Sequence, residues 1–495
     1  MEKNDQTYGK LSKDIKVNEK ILTDKLGIGI SFDAGIRHLN ILGKEIQIYY
    51  VNGLCDIDYL IELIKELLRL ERHTSDEEED IHVKEIIKNH LVHVQVEYKN
   101  TFEDCIVEML SGLVFILVEG EDEAFVVDVR SYPGRGPEEP DTERVVRGAR
   151  DGYTENIIEN TALTRRRIRD ERLRHEIMRI GVRSKTDICI SYIEGIADPD
   201  LVNIIKKELK AIKIDGLPMG DKVVEEYIVK QGSNPFPLVR YTERPDVAAE
   251  HLFEGHVIII VDASPSVIIT PTTMFHHVQH AEEYRQAPFI GSYLRWVRFF
   301  GMIASMIILP LWLLAVLDPS ILPDNLDFIG PKEKSNIPIV VQIILAELGI
   351  ELLRMAAIHT PSPLATALGL VAALLIGEIA VEVGLFTSEV ILYVAAGAIG
   401  IFATPSYELG LAIKILRLAL ILIVAAFGKI GFIIGATLLF ISLVRIRSLN
   451  KPYLWPILPF DASGAWQIIM RTTVPSMRRR LRIVNPQDSV RQSSE

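Results

Sequence analysis

Residues 297–317, VRFFGMIASMIILPLWLLAVL, decide the fold of this chain. Their only charge, Arg298, stands at the edge of an otherwise apolar run of 21 residues. At about 1.5 Å per residue, a helix of this length spans about 30 Å, the thickness of the hydrocarbon core of a bilayer. We therefore expect a transmembrane helix here, and a chain that is an integral membrane protein.

Five further apolar stretches follow, and the positions of the basic residues predict the orientation of the chain in the membrane. Arg295 and Arg298 precede the first span, whereas the loop 318–338 holds four acidic residues and two lysines. Basic residues favour the cytoplasmic side, so the first span should run outward and the arginine-rich tail should be cytoplasmic. Six crossings are the simple count, but four crossings with additional embedded helices stay open. The further stretches are 339–358, 364–386, 389–403, 411–427 and 430–444.

Seven charged residues interrupt these apolar stretches. A charge at the bilayer centre costs about 2.5–3.5 kcal/mol on insertion scales, so such residues line a polar path or pair inside protein. One alternative is a ring of carboxylates at a subunit interface that attracts cations. The other is static pairing of Glu351 with Arg354, and of Glu378 or Glu382 with a basic residue of the 411–427 stretch. So many charges also predict a ring-like homo-oligomer. The seven are Glu347, Glu351, Arg354, Glu378, Glu382, Lys414 and Arg417.

The two halves of the chain differ in charge. Residues 1–295 hold 38 basic and 53 acidic residues, a net charge of −15, and residues 296–495 hold 16 and 13, a net charge of +3. An acidic soluble half argues against nucleic acid as a partner, because phosphate binding needs a positive surface. Three widely spaced cysteines, Cys55, Cys105 and Cys189, predict buried thiols in a reducing compartment. Residues 1–20 lack the apolar stretch of a signal peptide, so we expect a cytoplasmic N-terminal half.

The soluble half is long enough for two small domains with a seam between them. Three prolines and two glycines in residues 133–140 cannot continue a helix or a central strand. Before the seam we predict strands at 46–51, 91–97, 113–118 and 124–129 and helices at 57–70 and 101–111, the latter capped by Thr101. After it we predict helices at 143–160, 164–179, 199–212 and 246–253 and strands at 188–193, 223–229 and 257–261.

The predicted fold class is therefore an α/β cytoplasmic N-terminal region of two small subdomains, followed by an α-helical polytopic membrane domain. Residues 1–29 form a polar N-terminal segment, 30–132 the first subdomain, 133–140 the linker and 141–290 the second subdomain. Residues 291–447 form the transmembrane helical domain, and residues 448–495 a basic cytoplasmic tail.

These domains carry no recognisable catalytic motif, so we do not expect an enzyme or a cofactor. There is no P-loop, no nucleotide-binding glycine fingerprint and no GxSxG elbow. His276, His277 and His280, with Glu283 after them, resemble a metal site only loosely, because the glutamate of HExxH is missing. A linker helix with polar histidines is the simpler interpretation. The acidic run 76–80 lacks the ligand alternation and glycine of a calcium loop and is interpreted as solvated.

Several runs around the seam resemble the A subunits of bacterial spore germination receptors. They are Tyr132-Pro133-Gly134-Arg135-Gly136-Pro137-Glu138-Glu139-Pro140, Arg147-Gly148-Ala149-Arg150-Asp151-Gly152-Tyr153-Thr154-Glu155, Asn160-Thr161-Ala162-Leu163 and Arg165-Arg166-Arg167-Ile168. The resemblance continues through Glu351-Leu352-Leu353-Arg354, Ala380-Val381-Glu382-Val383-Gly384 and Lys451-Pro452-Tyr453. The Pro-Gly-Arg and Arg-Gly-Ala-Arg runs are most similar to a branch of the family that is encoded with sporulation proteins. Glu378 and Ala149 stand where many members carry Gln and Pro.

The resemblance implies a multi-pass protein of the inner spore membrane that oligomerises into a channel releasing monovalent cations during germination. It also implies other membrane germination proteins as partners, besides the lipid bilayer. A nutrient-sensing receptor subunit and a non-conducting scaffold stay open as alternatives. We further expect Arg135 or Glu139 to bond across the seam and fix the angle between the subdomains. Arg165, Arg166 and Arg167 are interpreted as a solvated helix face, with a subunit contact as the alternative.

Overall fold

The computed structural model describes residues 9–41, 43–73, 96–131, 143–332, 336–359 and 375–492. The chain divides into two compact units. The first comprises Met1–Lys230, Val239–Pro271 and Val474–Glu495, and the second Gln231–Leu238 and Thr272–Thr473. The predicted linker 133–140, the strand start 91–95 and the acidic run 76–80 lie outside the described residues.

The first part of the first unit is a five-stranded antiparallel sheet with three helices. The elements are α1 (Ile15–Leu26), β1 (Ala34–Ile41), β2 (Lys44–Val51), α2 (Ile57–His73), β3 (Val96–Lys99), α3 (Phe102–Leu110), β4 (Val114–Val118) and β5 (Ala124–Val127). The strand order is β1-β2-β4-β5-β3. Thr101 caps α3 by accepting a hydrogen bond from the backbone N–H of Asp104 at 3.2 Å, as predicted. Helix α1 was not predicted from the sequence, although its Leu22 and Leu26 are buried in the core.

The second part of the first unit repeats this arrangement. Its elements are α4 (Ile157–Arg167), β6 (Leu173–Ile180), β7 (Thr186–Ile193), α5 (Pro199–Ala211), α6 (Gly220–Val229), β8 (Arg240–Thr242), α7 (Pro245–Glu254), β9 (Val257–Val261) and β10 (Val267–Thr270). The strand order is β6-β7-β9-β10-β8, so the first, second, fourth, fifth and third strands are neighbours in both sheets. The α/β prediction for this half of the chain is confirmed.

Three predictions in this part were wrong. Residues 223–229 form a helix rather than a strand, because only Val224, Glu225 and Ile228 of α6 are buried, which is helical spacing. The long helix predicted over 164–179 ends at Arg167, and β6 follows. β6 is charged because it is an edge strand, and such strands often expose charges. The helix predicted over 143–160 begins only at Ile157.

The C-terminal residues return to the first unit. Ile483 and Val484 are buried there, and the Arg480 guanidinium donates to the carbonyl of Phe253 at 2.7 Å. The side chain of Gln487 donates to the carbonyl of Ala197 at 3.1 Å. The end of the basic tail is therefore an ordered part of the α/β unit.

The second unit is helical. It contains α8 (Ala281–Arg285), α9 (Pro288–Leu317), α10 (Ile339–His359), a π-helical turn (Leu375–Ile379) continued by α11 (Ala380–Glu382), α12 (Ser388–Phe402), α13 (Tyr407–Arg445), the short strands β11 (Arg447–Ser448) and β12 (Lys451–Pro452), and α14 (Ala462–Ile469). Its core includes Leu309, Trp312 and Leu313 of α9 with Ile343, Val394 and Ile421. Two helices of the described chain, α9 and α13, are long and apolar enough to cross a membrane, and α12 is apolar but shorter.

Helix α13 is two helices that fold back on each other. Gly428 has φ 57° and ψ −137°, which is not helical. A Cβ on Gly435 would lie 2.7 Å from Cδ1 of Leu420. In a straight helix, positions 15 residues apart are about 22 Å apart. The chain therefore reverses at Gly428, between the two stretches predicted at 411–427 and 430–444.

Candidate functional site

Five of the seven predicted intramembrane charges meet between α10 and α13. Lys414 Nζ lies 2.7 Å from Oε2 of Glu351 and 3.5 Å from Oε2 of Glu347. Arg417 Nη2 lies 2.5 Å from Oε1 of Glu347. Arg354 pairs with Glu351 one turn along α10. We name these five residues the charge cluster; its formal charge is +1, from two carboxylates and three cations.

The centre of the charge cluster is buried but incompletely hydrogen-bonded. Glu347 and Arg417 are only 2 % and 1 % exposed. The Arg417 guanidinium donates to the carbonyl of Ser305 on α9 at 3.0 Å. Within the described chain, Arg417 Nε has no acceptor, and Glu347 Oε1 has no donor in hydrogen-bonding geometry, so the contact at 2.5 Å is a charge contact. Arg354 additionally lies over the ring of Tyr407, 5.0 Å from its centroid.

Small residues bring the helices around the charge cluster close together. A Cβ on Gly397 of α12 would lie 2.5 Å from Nη1 of Arg417. A Cβ on Gly400 would lie 2.3 Å from the carbonyl oxygen of Gly301 on α9. Neither position has room for a side chain, so α12 packs directly against α9 and the guanidinium.

The remaining two charges, Glu378 and Glu382, lie apart from the charge cluster. Both are exposed, and neither has an ion pair or hydrogen bond within the described part of the chain. Glu378 stands in the π-helical turn, a conformation frequent at functional sites. Lys414 and Arg417 therefore pair with Glu347 and Glu351, and among the described residues neither pairs with Glu378 or Glu382.

The motif residues around the seam fall into two groups. Pro133, Gly134, Arg135, Glu139 and Pro140 lie outside the described residues, and the proposed bond across the seam stays a prediction. Arg147 and Arg150 are exposed. By contrast, Tyr153, Asn160 and Thr164 are buried and hydrogen-bonded. The side chain of Asn160 exchanges two hydrogen bonds with the backbone of Thr154 at 2.6 and 2.7 Å.

Arg165 joins the two sheets of the first unit, and its interpretation as solvated was wrong. It is 2 % exposed, and its Nε donates to Oδ2 of Asp33 at 3.0 Å. Its other nitrogens donate to Oδ1 of Asp33 at 3.3 Å and to the carbonyls of Leu173 and Asp170 at 3.1 and 3.3 Å. Ser31 Oγ donates to Oδ1 of Asp33 at 2.7 Å. Nothing in the order of the sequence marks Asp33, which is 132 residues away.

The electrostatics of this joint hold its groups in fixed protonation states. Burial would raise the pKa of Asp33, but attraction from Arg165, with His175 and the hydrogen bonds, lowers it to about 2. Burial lowers the pKa of His175 to about 4, with Asp33 opposing and Arg165 adding to the shift. His175 stays neutral, and its Nδ1 lies 2.7 Å from the hydroxyl of Ser191. Near neutral pH the joint is therefore one carboxylate, one guanidinium and one neutral imidazole.

The histidines after residue 275 do not form a helical ligand pair. His276 lies in a 3₁₀ turn with Nδ1 2.9 Å from the hydroxyl of Thr273, and His280 caps α8 by accepting from the N–H of Glu282 at 3.2 Å. The buried carboxylate of Glu283 pairs with Arg295 at 2.7 Å and with Arg298. These contacts account for His276, His280 and Glu283 as polar structure before α9, whereas His277 is buried with its ring 6.3 Å from that of Tyr453.

One trio of possible metal ligands was missed by sequence reasoning. The ligand atoms of Glu19, His38 and Glu45 lie within 4.8 Å of one another on α1 and the β1–β2 hairpin. Gln47 Nε2 donates to both carboxylates, at 2.8 and 2.9 Å. Ordinary hydrogen bonding therefore explains the trio, although its carboxylate and imidazole groups suit a divalent cation.

All three cysteines are buried and free, as predicted. Ser305 was not predicted from the sequence, because it accepts a hydrogen bond from Arg417 through its backbone carbonyl, a group that any residue offers. Gln342 was missed as well; it accepts a hydrogen bond from the N–H of Thr387 at 2.8 Å and ties the starts of α10 and α12 together.

Comparisons with known proteins agree with the residues quoted above. Residues 20–483 match the family described as Bacillus/Clostridium GerA spore germination protein. The chain is 60% identical to Stage V sporulation protein AF of Bacillus subtilis (strain 168), over 96% of both chains. It is 29% identical to Spore germination protein KA of the same organism, over 96% of this chain and 88% of the relative.

One solved structure is also similar. It is the N-terminal domain of the A subunit of the Bacillus megaterium spore germinant receptor GerK3, with 30% identity and a TM-score of 0.42. The match covers 54% of this chain and 98% of that domain.

Proposed function

This chain belongs to the Bacillus/Clostridium GerA spore germination protein family, and we propose that it is a subunit of an oligomeric cation channel of the inner spore membrane. The germination role follows from the family, and the sporulation-associated branch from the identity with Stage V sporulation protein AF. Conduction and homo-oligomerisation are the further steps that we propose.

The observation that carries this proposal is the division of the seven charges. Five of them pair with one another inside the chain, whereas Glu378 and Glu382 have no partner within the described residues. A carboxylate in an apolar helical unit needs water or protein to receive it. Two exposed carboxylates one turn apart suit a water-filled path between subunits, where acidic side chains attract cations.

The internal contacts of the helical unit support a six-crossing arrangement. Lys429, at the reversal in α13, lies 3.1 Å from Asp318 at the end of α9. Gly400, near the end of α12, packs against Gly301, near the start of α9. The first half of α13 is therefore parallel to α9. Helix α12 and the second half of α13 are antiparallel to α9. Most of the stretch predicted at 364–386 lies outside the described residues, so its crossing between α10 and α12 stays a prediction.

A flux measurement tests the proposal. We expect the full-length protein, reconstituted into vesicles loaded with K⁺, to release K⁺ faster than protein-free vesicles. We also expect the detergent-solubilised protein to have the mass of a closed oligomer. An oligomer without flux would favour the scaffold over the channel, and a monomer without flux would contradict both.

The 29% identity to Spore germination protein KA favours one second candidate, a nutrient-sensing receptor subunit. Such a subunit would bind a small molecule, and thermal-shift screening of the full-length protein against amino acids and sugars separates it from a channel that opens without a bound nutrient.

A further inference from the structure

The start of α9 extends beyond the hydrocarbon layer and carries exposed aromatic residues. The helix has 30 residues and is therefore about 45 Å long, whereas the hydrocarbon core is about 30 Å thick. With residues 297–317 inside that core, Trp296 lies at its boundary and Tyr293 about 5 Å outside it, in the headgroup layer. Both are exposed, and with Phe289 and Phe300 they occupy one face of the helix at spacings of three and four residues.

The segment 453–470 is attached to α9 at this level. Trp296 Nε1 donates to the carbonyl of Ile469 at 2.9 Å. The buried guanidinium of Arg295 donates to the carbonyls of Gln467 and Ile468 at 2.8 and 2.9 Å. Immediately after the segment, the backbone N–H of Arg471 donates to the hydroxyl of Ser292 at 3.0 Å. The end of α14 therefore lies beside the aromatic turns of α9.

The outer surface of this segment is apolar. Phe460 is 75% exposed and Trp466 58% exposed, and Ile457 and Ile469 are about half exposed. The inner side is well packed, since a Cβ on Gly464 would lie 2.6 Å from the ring of Trp455. The exposure is thus a property of a folded element, and a water-facing helix of this kind would carry polar residues on its outer side.

We propose that segment 453–470 is a membrane-surface element, which inserts Phe460, Trp466 and Ile469 into the interfacial layer of the leaflet where α9 begins. The lipid interface is the occupant because the apolar surface is continuous with the exposed face of a membrane helix. Tryptophan and phenylalanine beside basic residues suit that layer, and Arg471 supplies a cation there. The charges facing the protein, Arg295 and Arg298, are already paired with Glu283.

This assignment refines the expectation that residues 448–495 form a basic cytoplasmic tail, because part of the tail would lie in the membrane interface. It rests on the proposal that α9 crosses a bilayer, so the experiment has to separate the two. It also gives the segment a function, since an element anchored at the interface fixes the level at which α9 enters the membrane.

Site-specific fluorescence quenching tests the assignment. Full-length Phe460→Cys, Trp466→Cys and Ile457→Cys variants are labelled with an environment-sensitive dye and reconstituted into vesicles of phosphatidylcholine and phosphatidylglycerol. The native thiols are suitable silent positions, because all three are buried and burial raises the pKa of Cys189, that of Cys55 to about 11 and that of Cys105 to about 12. The unsubstituted protein, treated in the same way, measures any label on them.

Lipids carrying a nitroxide near the headgroup should quench the dye at these positions about twofold or more above the quenching at Met219→Cys and Val182→Cys. Met219 and Val182 are matched controls, exposed apolar residues of the first unit. Ile303→Cys and Ile433→Cys, exposed on α9 and α13, should be quenched by nitroxides deep in the acyl chains.

Quenching at Phe460 and Trp466 no greater than at Met219, with Ile303 or Ile433 quenched, would overturn this inference and leave the membrane placement intact. A blue-shifted dye that lipid nitroxides do not quench would mean that protein covers the surface, such as a second copy, and would also overturn it. Absence of quenching at both Ile303 and Ile433 would contradict the membrane placement itself.

Discussion

Two buried arginine–carboxylate contacts, one in each unit, differ in how completely they are hydrogen-bonded. All three guanidinium nitrogens of Arg165 donate hydrogen bonds, and Asp33 also accepts a hydrogen bond from the hydroxyl of Ser31. Arg417 is equally buried, but it donates only to the carbonyl of Ser305, its Nε has no acceptor within the described chain, and Glu347 Oε1 receives no hydrogen bond.

The difference separates a fixed joint from a contact that can rearrange. The attraction within a buried ion pair offsets the free-energy cost of desolvation only when further hydrogen bonds satisfy both charged groups. The Asp33–Arg165 pair meets that condition and locks one sheet of the first unit against the other. The charge cluster does not meet it, so its pairing stabilises the helix packing less and suits the channel opening that we propose.

The largest effect is expected at the fixed joint. Arg165→Leu leaves Asp33 buried without its cation, which should cost about 3–5 kcal/mol of unfolding free energy. Arg166→Leu, on the exposed side of the same helix, is the matched control and should cost less than about 1 kcal/mol. Thermal unfolding of the two full-length variants measures the difference. Equal melting temperatures would show that Arg165 does not join the sheets.

A smaller loss is expected in the charge cluster. Glu347→Gln keeps the shape but leaves Arg417 uncompensated, and we expect a cost of about 3 kcal/mol, measured by thermal unfolding of the detergent-solubilised protein. Replacing both Glu347 and Arg417 with leucine should recover most of the lost stability, because burying two apolar side chains carries no cost of desolvating charges. A double variant less stable than Glu347→Gln would mean that the ion pair stabilises the helices more than the geometry indicates.

Acid should destabilise the first unit in two stages. The pKa of His175 is lowered from 6.5 to about 4, so the unfolded chain binds a proton that the folded chain excludes, and stability falls as pH drops from 6.5 toward 4. The maximum loss from this group is about 3 kcal/mol. The pKa of Asp33 is lowered from 3.8 to about 2, so its contribution is lost between these values.

His175→Gln should remove the first stage, and His38→Gln, an exposed histidine, should not. The measurement is the melting temperature of the full-length variants across this pH range. A His175→Gln protein with the acid sensitivity of the parent would assign the effect to other groups, such as His256, whose pKa burial also lowers to about 4.

The smallest effect concerns helix packing beside the charge cluster. Gly400→Ala would place a methyl group 2.3 Å from the Gly301 carbonyl and should cost about 1–3 kcal/mol as α9 and α12 move apart. Gly301→Ala is a matched control at the same contact, because its Cβ would be 3.7 Å from the nearest atom. Thermal unfolding of the pair tests the contact, and equal stabilities would show that the helices do not pack through Gly400.

Local sequence patterns predicted many of the helices and strands. The side-chain contacts between distant residues could not be predicted in this way. Strands β2, β4 and β9 were predicted because their short apolar runs are rich in β-branched and aromatic residues. The charged residues of β6 led to the prediction of a helix, and the β-branched residues of α6 led to the prediction of a strand. Both properties are weak indicators, because tertiary packing overrides them. The sequence alone predicted seven intramembrane charges, and the structure brings five of them together in the charge cluster. Their partners were not, because Glu347 and Arg417 are separated by 70 residues and no spacing rule connects them.

The most direct test of the account is cation flux through vesicles containing the Glu378→Gln, Glu382→Gln double variant. Glutamine keeps the volume and hydrogen-bonding capacity and removes the charge, and neither residue pairs within the described chain, so assembly should be unchanged. We predict a normal oligomer whose K⁺ release is about tenfold slower than that of the parent, a loss of about 1.4 kcal/mol in cation stabilisation. A double variant that assembles and conducts as well as the parent would contradict the account.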